Sequence, residues 1–233
     1  MSARDDLLNH IFDGKSPPLR AEFDGWLRES RRFRAFATTY RDKIRAKLKH
    51  AHDDGGRQDV RAELETAALL LREDRFTLEY EKYAAAKQRG PDFTVTFKTH
   101  TPFNVEVRRI RSQEMAVDDV DVRIAKLMAV LCDKAGQMPP SIVNLLWLAA
   151  EHDLATADVT AAANSLRQLA ERKAEAFFTQ RGYESAAAFL RQYHQLSGIV
   201  VCHAGAPTIW LNPIARHKTP PDIATAIQRL GER

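Results

Sequence analysis

Cysteine is scarce. Cys132 and Cys202 are the only two in the chain, too few for a zinc site of their own, and a chain this long does not need a disulfide scaffold. Both are expected as reduced, buried thiols. Long apolar runs are missing too. The longest, 142–150, is interrupted by Asn144 and falls well short of the roughly 20 residues that span a bilayer. Asp5 and Asp6 stand where a signal peptide carries positive charge, so a cytoplasmic protein is expected. There is no GxGxxG or Walker-type phosphate loop, and no nucleophile elbow surrounds Ser197. His194, His203 and His217 lack metal-ligand spacing, and His50 and His52 fall at an expected helix end. Repeats and low-complexity tracts are absent.

What remains is an ordinary globular composition. Apolar residues make up 44% and charged residues 28% of 233 residues, enough for one large domain or a domain with a helical extension. Net charge is +4, and its distribution matters more than its sum. Arg31, Arg32, Arg34, Arg41, Lys43, Arg45, Lys47 and Lys49 crowd one segment in which Asp42 is the sole acid. Phe33, Phe36, Ala37, Tyr40, Ile44 and Leu48 recur through it at three- and four-residue steps, the apolar stripe of a single amphipathic helix. The basic residues then occupy its other faces, either as a solvated surface or as contacts to nucleic-acid phosphate. Trp26, Trp147 and Trp210 read as core anchors.

The order of elements follows from periodicity. Residues 1–50 read as helical with a break at 14–18. A helix over 58–72 buries Val60, Leu64, Ala67, Ala68 and Leu71. Residues 75–83, 92–97 and 103–110 alternate as strands, close enough in sequence for a meander. A helix over 120–133 leads to a nearly continuous apolar strand at 142–149, which implies a parallel crossover. An Ala-rich helical region at 155–178, a short helix at 186–194, two late strands at 198–202 and 208–211, and a terminal helix at 222–230 complete the chain. The sum is an α/β domain over 53–233, a mixed β-sheet flanked by helices, preceded by a helical N-terminal extension over 1–52.

Strand parity singles out two carboxylates. Phe93, Val95 and Phe97 point one way, so Asp92 points the other; Val105 and Val107 point inward, so Glu106 and Arg108 point oppositely. Pairing of these strands brings Asp92 and Glu106 together, where their repulsion calls for a cation or a proton. A hard cation such as Mg²⁺ takes such oxygen ligands. At 100° per residue Glu63 lies about 60° from the centre of its helix's buried stripe and Glu65 roughly 130° away. Glu63 is therefore the candidate third carboxylate, ahead of Glu65 and of Glu79. The basic run Arg108, Arg109 and Arg111 lies beside this site.

A helix carrying Glu63, then a strand, then Pro91-Asp92, then Glu106-Val107-Arg108 resembles the PD-(D/E)xK nuclease superfamily over roughly residues 58–150. The resemblance implies the restriction-endonuclease-like fold and a metal-dependent phosphodiester hydrolase. It implies that Asp92 and Glu106 bind Mg²⁺ or Mn²⁺, with Glu63 assisting and Arg108 on the scissile phosphate. Arg31, Arg32, Arg41, Lys43, Lys47, Arg109 and Arg111 would contact nucleic acid, with DNA expected ahead of RNA. One departure stands out. The superfamily's lysine is Arg108 here, which stays protonated and serves poorly as a base; Lys98 and Lys82 are the candidates to replace it. Two other readings stay open: a non-catalytic nucleic-acid-binding module on the same fold, and a protein-interaction domain whose Ala-rich helices meet a partner or a second copy in a homodimer.

Overall fold

The computed structural model describes residues 2–83, 90–112 and 119–232. The N-terminal region is helical: α1 (Ala3–Phe12), α2 (Pro18–Glu29), α3 (Arg31–Thr39) and α4 (Arg41–His50). Local chemistry sets these boundaries. Ser2 and Asp5 form a reciprocal capping box on α1. Pro18 opens α2, where its missing N–H costs nothing. Ser30 accepts the Phe33 N–H at the start of α3. The single helix expected over Phe33–Leu48 is broken at Tyr40 (φ −106°, ψ 16°), so the apolar stripe bends around the core.

After α5 (Asp54–Leu70) come β1 (Phe76–Tyr80), β2 (Phe93–Phe97) and β3 (Thr101–Ile110). α6 (Val120–Ala135) returns the chain to β4 (Val143–Ala150). Then follow α7 (Thr156–Glu171), α8 (Glu175–Thr179), α9 (Ala186–Tyr193), β5 (Gly198–His203), β6 (Ala206–Leu211) and α10 (Pro221–Gln228). The Ala-rich helical region divides into α7 and α8, between which Lys173 takes φ 56°. The six strands form one mixed sheet in sequence order. β1–β2–β3 are antiparallel, β3–β4–β5 parallel, and β5–β6 an antiparallel hairpin. Ala204 and Gly205 both have positive φ in its two-residue turn, the geometry that matches strand twist. No described helix is long and apolar enough to cross a membrane.

Each face of the sheet has its own core. Phe93, Val95, Phe103, Val105, Trp147 and Val200 pack against α1–α5 and α10. Ile110, Leu146, Leu148, Ile199 and Val201 pack against α6–α9. Trp147 is thus the buried anchor expected, while Trp26 and Trp210 are only partly buried. On the first face a chain of ring contacts runs Phe12–Phe23–Phe33–Phe36–Tyr80–Phe93, with centroids 5.1–5.9 Å apart. It ties the N-terminal helices to the meander.

Basic side chains close the outer edge of β1. The backbone bonds Lys98 N–H to Arg75 and Glu81 N–H to Asp92 set the ladder, so Phe76, Leu78 and Tyr80 turn their peptide groups outward. Arg32 donates to the Phe76 carbonyl, and Lys43 Nζ donates to that of Tyr80 at 2.8 Å. Two of the three outward carbonyls are thus engaged, which blunts the edge against a further strand.

A polar row crosses the second core. Thr94, Asn104 and Asn144 occupy paired register positions. Thr94 Oγ1 donates to Asn104 Oδ1 and Asn104 Nδ2 to Asn144 Oδ1, both at 3.0 Å. Asn144 Nδ2 in turn serves the carbonyls of Pro139, Ile142 and Gln195. Replacing Asn144 with Ala orphans these buried acceptors. We expect roughly 3 kcal/mol of lost stability in urea unfolding, far above an ordinary exposed substitution.

Candidate functional site

The site begins where β2 starts. β3 extends beyond the first residue of β2, and Pro91 carries no N–H to continue the ladder. The Asp92 carboxylate takes over, its Oδ2 accepting the Val107 N–H at 2.8 Å. Continuing the Phe93–Val105 register by one step sets Asp92 opposite Glu106. Glu81 follows β1 in a left-handed conformation, φ 46°, and its N–H donates to the Asp92 carbonyl at 2.7 Å.

Three lysines from helices meet these carboxylates, Lys43 of α4 at the edge, 3.7 Å from Glu81 Oε2. Lys47 of α4 lies 2.5 Å from Glu63 Oε2, 2.8 Å from Glu81 Oε1 and 3.8 Å from Asp92 Oδ1. Its ammonium also sits 4.9 Å from the centroid of the Tyr80 ring. The Tyr80 hydroxyl donates to the same Glu63 oxygen at 2.5 Å. Beyond Asp92, Lys134 in the last turn of α6 reaches Glu106 Oε1 at 2.7 Å. Glu106 itself is only 6% exposed.

Charge is still unbalanced: Glu63, Glu81, Asp92 and Glu106 face three ammonium groups, those of Lys43, Lys47 and Lys134. Burial comes first among the causes that raise Asp92 to about 7, the neighbouring Glu106 second, against the pull of Lys47 and the Val107 N–H. Burial, then Asp92, likewise raises Glu63 to about 7 despite Lys47 and Tyr80. Burial alone would lower Lys47, yet Glu63 and Asp92 outweigh it, and the ammonium holds its proton more firmly than usual. We read these directions together: Lys47 stays charged, while Glu63 and Asp92 compete for a proton that relieves the excess negative charge.

The three sequence-predicted carboxylates thus come together, in a row with Asp92 at its centre. Arg108 lies two residues along β3 on the Glu106 face and is half-buried. Glu65 instead pairs with Arg61, and Glu79 with Lys82. Lys82 is tied to that exposed pair, and Lys98 lies at the opposite end of β2 near Asp222, so neither enters the site. Among the basic residues, Lys47 is internal to the cluster, and Arg32 and Lys43 serve the β1 edge. Arg109, on the opposite face from Glu106, clamps Asp59 at 2.7 Å, Glu151 at 2.6 Å and the Gly55 carbonyl at 3.0 Å. Arg31, Arg41 and Arg111 are exposed.

Sequence reasoning missed Lys134, Glu81 and Tyr80, and took Lys47 for a surface contact. No spacing signals Lys134, since its partner is 28 residues away and faces it only after the crossover. Among the described residues, no group of three or more His, Cys, Asp or Glu side chains is arranged to hold a metal ion by itself. Comparison of the chain with protein-family models, curated proteins and solved structures returned no match.

The raised carboxylates tie the stability of the fold to pH. Asp92 and Glu63 titrate near 3.8 and 4.5 when unperturbed and near 7 when folded. Between about pH 4 and pH 7 the folded chain holds protons that the unfolded chain has released, so their contribution to stability is lost as pH rises through that window. Asp92→Asn should therefore gain on wild type from pH 5 to pH 8 in urea midpoints. A constant difference between the two proteins would refute the buried-charge account.

Proposed function

We propose that the chain is a metal-dependent nuclease-like protein that hydrolyses phosphodiester bonds of nucleic acid, DNA foremost. The observation that carries this reading is the facing pair Asp92 and Glu106, the first half-buried and the second buried, mutually repelling and flanked by Lys134. The element order supports it: a carboxylate-bearing helix, a three-strand meander, and a crossover helix to a parallel strand, as in the PD-(D/E)xK superfamily.

The residues fit a divalent cation. Mg²⁺ keeps several waters and commonly takes one or two protein carboxylates, so Asp92 and Glu106 suffice as ligands. A cation between them would relieve the repulsion that raises Asp92. Mg²⁺ or Mn²⁺ bound there would polarise a phosphodiester and lower the pKa of a coordinated water. The Val107 N–H holds one Asp92 oxygen in place, leaving the other for binding. Glu63 anchors Lys47, which steadies Asp92 from the opposite side. Lys134 takes the place left open by Arg108: its ammonium, hydrogen-bonded to Glu106, positions a water or a phosphate oxygen beside the pair. Arg108 supplies permanent positive charge to phosphate. Exposed Arg31, Arg41 and Arg111 give salt-sensitive backbone contacts.

A second reading, nucleic-acid binding without cleavage, is favoured by one observation: arginine at position 108, where the superfamily has its lysine.

Nicking of supercoiled plasmid with Mg²⁺ or Mn²⁺ tests both readings. Wild type should nick, whereas Asp92→Ala and Glu106→Ala should lose about a hundredfold or more, as when a transition-state contact is removed. Lys134→Met should fall by about tenfold or more. Folded wild type that never nicks yet retains plasmid on filters in a salt-dependent manner would replace hydrolysis with binding. Equal nicking by all four proteins would remove the site from the reaction.

A further inference from the structure

α5 carries Glu63 on one flank and walls a separate recess on the other. A cavity of about 380 Å³ opens between α5, the end of α2, and the carboxyl ends of the parallel strands β3, β4 and β5. That volume lies in the range of small-molecule sites, and carboxyl ends of parallel strands are where open α/β sheets hold ligands.

The sheet register explains why space remains there. One row, Val107–Trp147–Val200, is filled by large buried side chains. The next row, Arg109–Ala149–Cys202, steps down to a methyl group and a thiol. Ala149 and Cys202 are not fully covered, and the half-buried Trp26 stands beside them as a wall. The floor is small and apolar, with an indole at its side.

The rim carries both signs in equal number, Arg61, Arg72 and Arg109 against Glu29, Glu65 and Glu151, with His203 beside them. Arg109 is held by Asp59 and Glu151, and Arg61 by Glu22 at 2.7 Å and Glu65 at 3.2 Å. A charged ligand would meet groups of its own sign as well as of the opposite one. A neutral ligand would instead meet guanidinium donors and carboxylate acceptors along its edge, and apolar surface under its face. Flat, neutral and bordered by donors and acceptors describes a heteroaromatic ring.

We propose that this recess binds a neutral, planar heteroaromatic molecule of nucleoside size, its ring seated over Ala149 and Cys202 against Trp26. The site is independent of the hydrolysis reading, and a failed nicking assay leaves it standing.

Calorimetric titration of the full chain with adenosine, guanosine, cytidine and uridine tests it. At least one should saturate at one per chain. Ala149→Phe fills the recess and should weaken that binding by about tenfold or more, with the thermal midpoint unchanged or higher. Arg61→Met, which keeps the bulk but removes donors, should weaken it as well and carries the test if the first variant does not fold. Bound nucleoside should also slow N-ethylmaleimide labelling of Cys202, with Cys132, buried in the other core, as the internal control. Saturation by none of the four overturns the proposal. So does binding indifferent to both substitutions, or binding that leaves Cys202 labelling unchanged.

Discussion

One half-buried ammonium holds the candidate site together. Lys47 reaches from α4 to Glu63 on α5, to Glu81 after β1 and to Asp92 before β2. Each of these groups would be costly to bury alone, because a desolvated charge finds no compensation from water. Clustered around one cation, they lock two helices and two strands into a single arrangement. Tyr80 adds a second hold on Glu63, and its ring stacks on Phe93 at 5.1 Å. The polar cluster thus grows directly out of the aromatic chain that binds the N-terminal helices to the sheet.

The two layers meet at Asp92. Lys47, Glu63 and Tyr80 approach it from the α1–α5 face, and Glu106 with Lys134 from the face packed by α6. Over β3 to β5 that second face is a sealed core. Over β1, Thr77 and Glu79 on the same side of the sheet are exposed. The carboxylate pair stands at the border between the two regions, buried enough to feel its own repulsion yet beside open sheet. For the nucleic-acid substrate proposed above, such a border would let a phosphate reach the carboxylates without unpacking a core.

The basic segment has a different meaning in three dimensions. Read linearly, its eight arginines and lysines form a cationic surface. In the fold Arg32 donates to the Leu71, Glu73 and Phe76 carbonyls. Arg34 donates to the Leu27 carbonyl, Lys43 covers the β1 edge, and Lys47 is the hub of the carboxylate cluster. Much of the positive charge therefore builds the fold, and a smaller exposed remainder faces outward.

The amino-acid sequence by itself determined the order of elements, the mixed sheet and the strand parity that selects Asp92 and Glu106. These follow from backbone geometry repeated every two or 3.6 residues, which acts locally and is written into spacing. The helical phase of Glu63 is legible for the same reason. Other features lay beyond that reach. The break at Tyr40 arises because the stripe must wrap a core that no local window contains. Lys134 meets Glu106 across 28 residues, and Lys47 meets Glu63 across 16. Arg109 belongs by parity to the face opposite Glu106, but its partners Asp59 and Glu151 lie 50 and 42 residues away. Which cation answers which carboxylate was decided only by tertiary packing, because a charge pairs with whatever the fold brings within a few ångströms, whatever its distance along the chain.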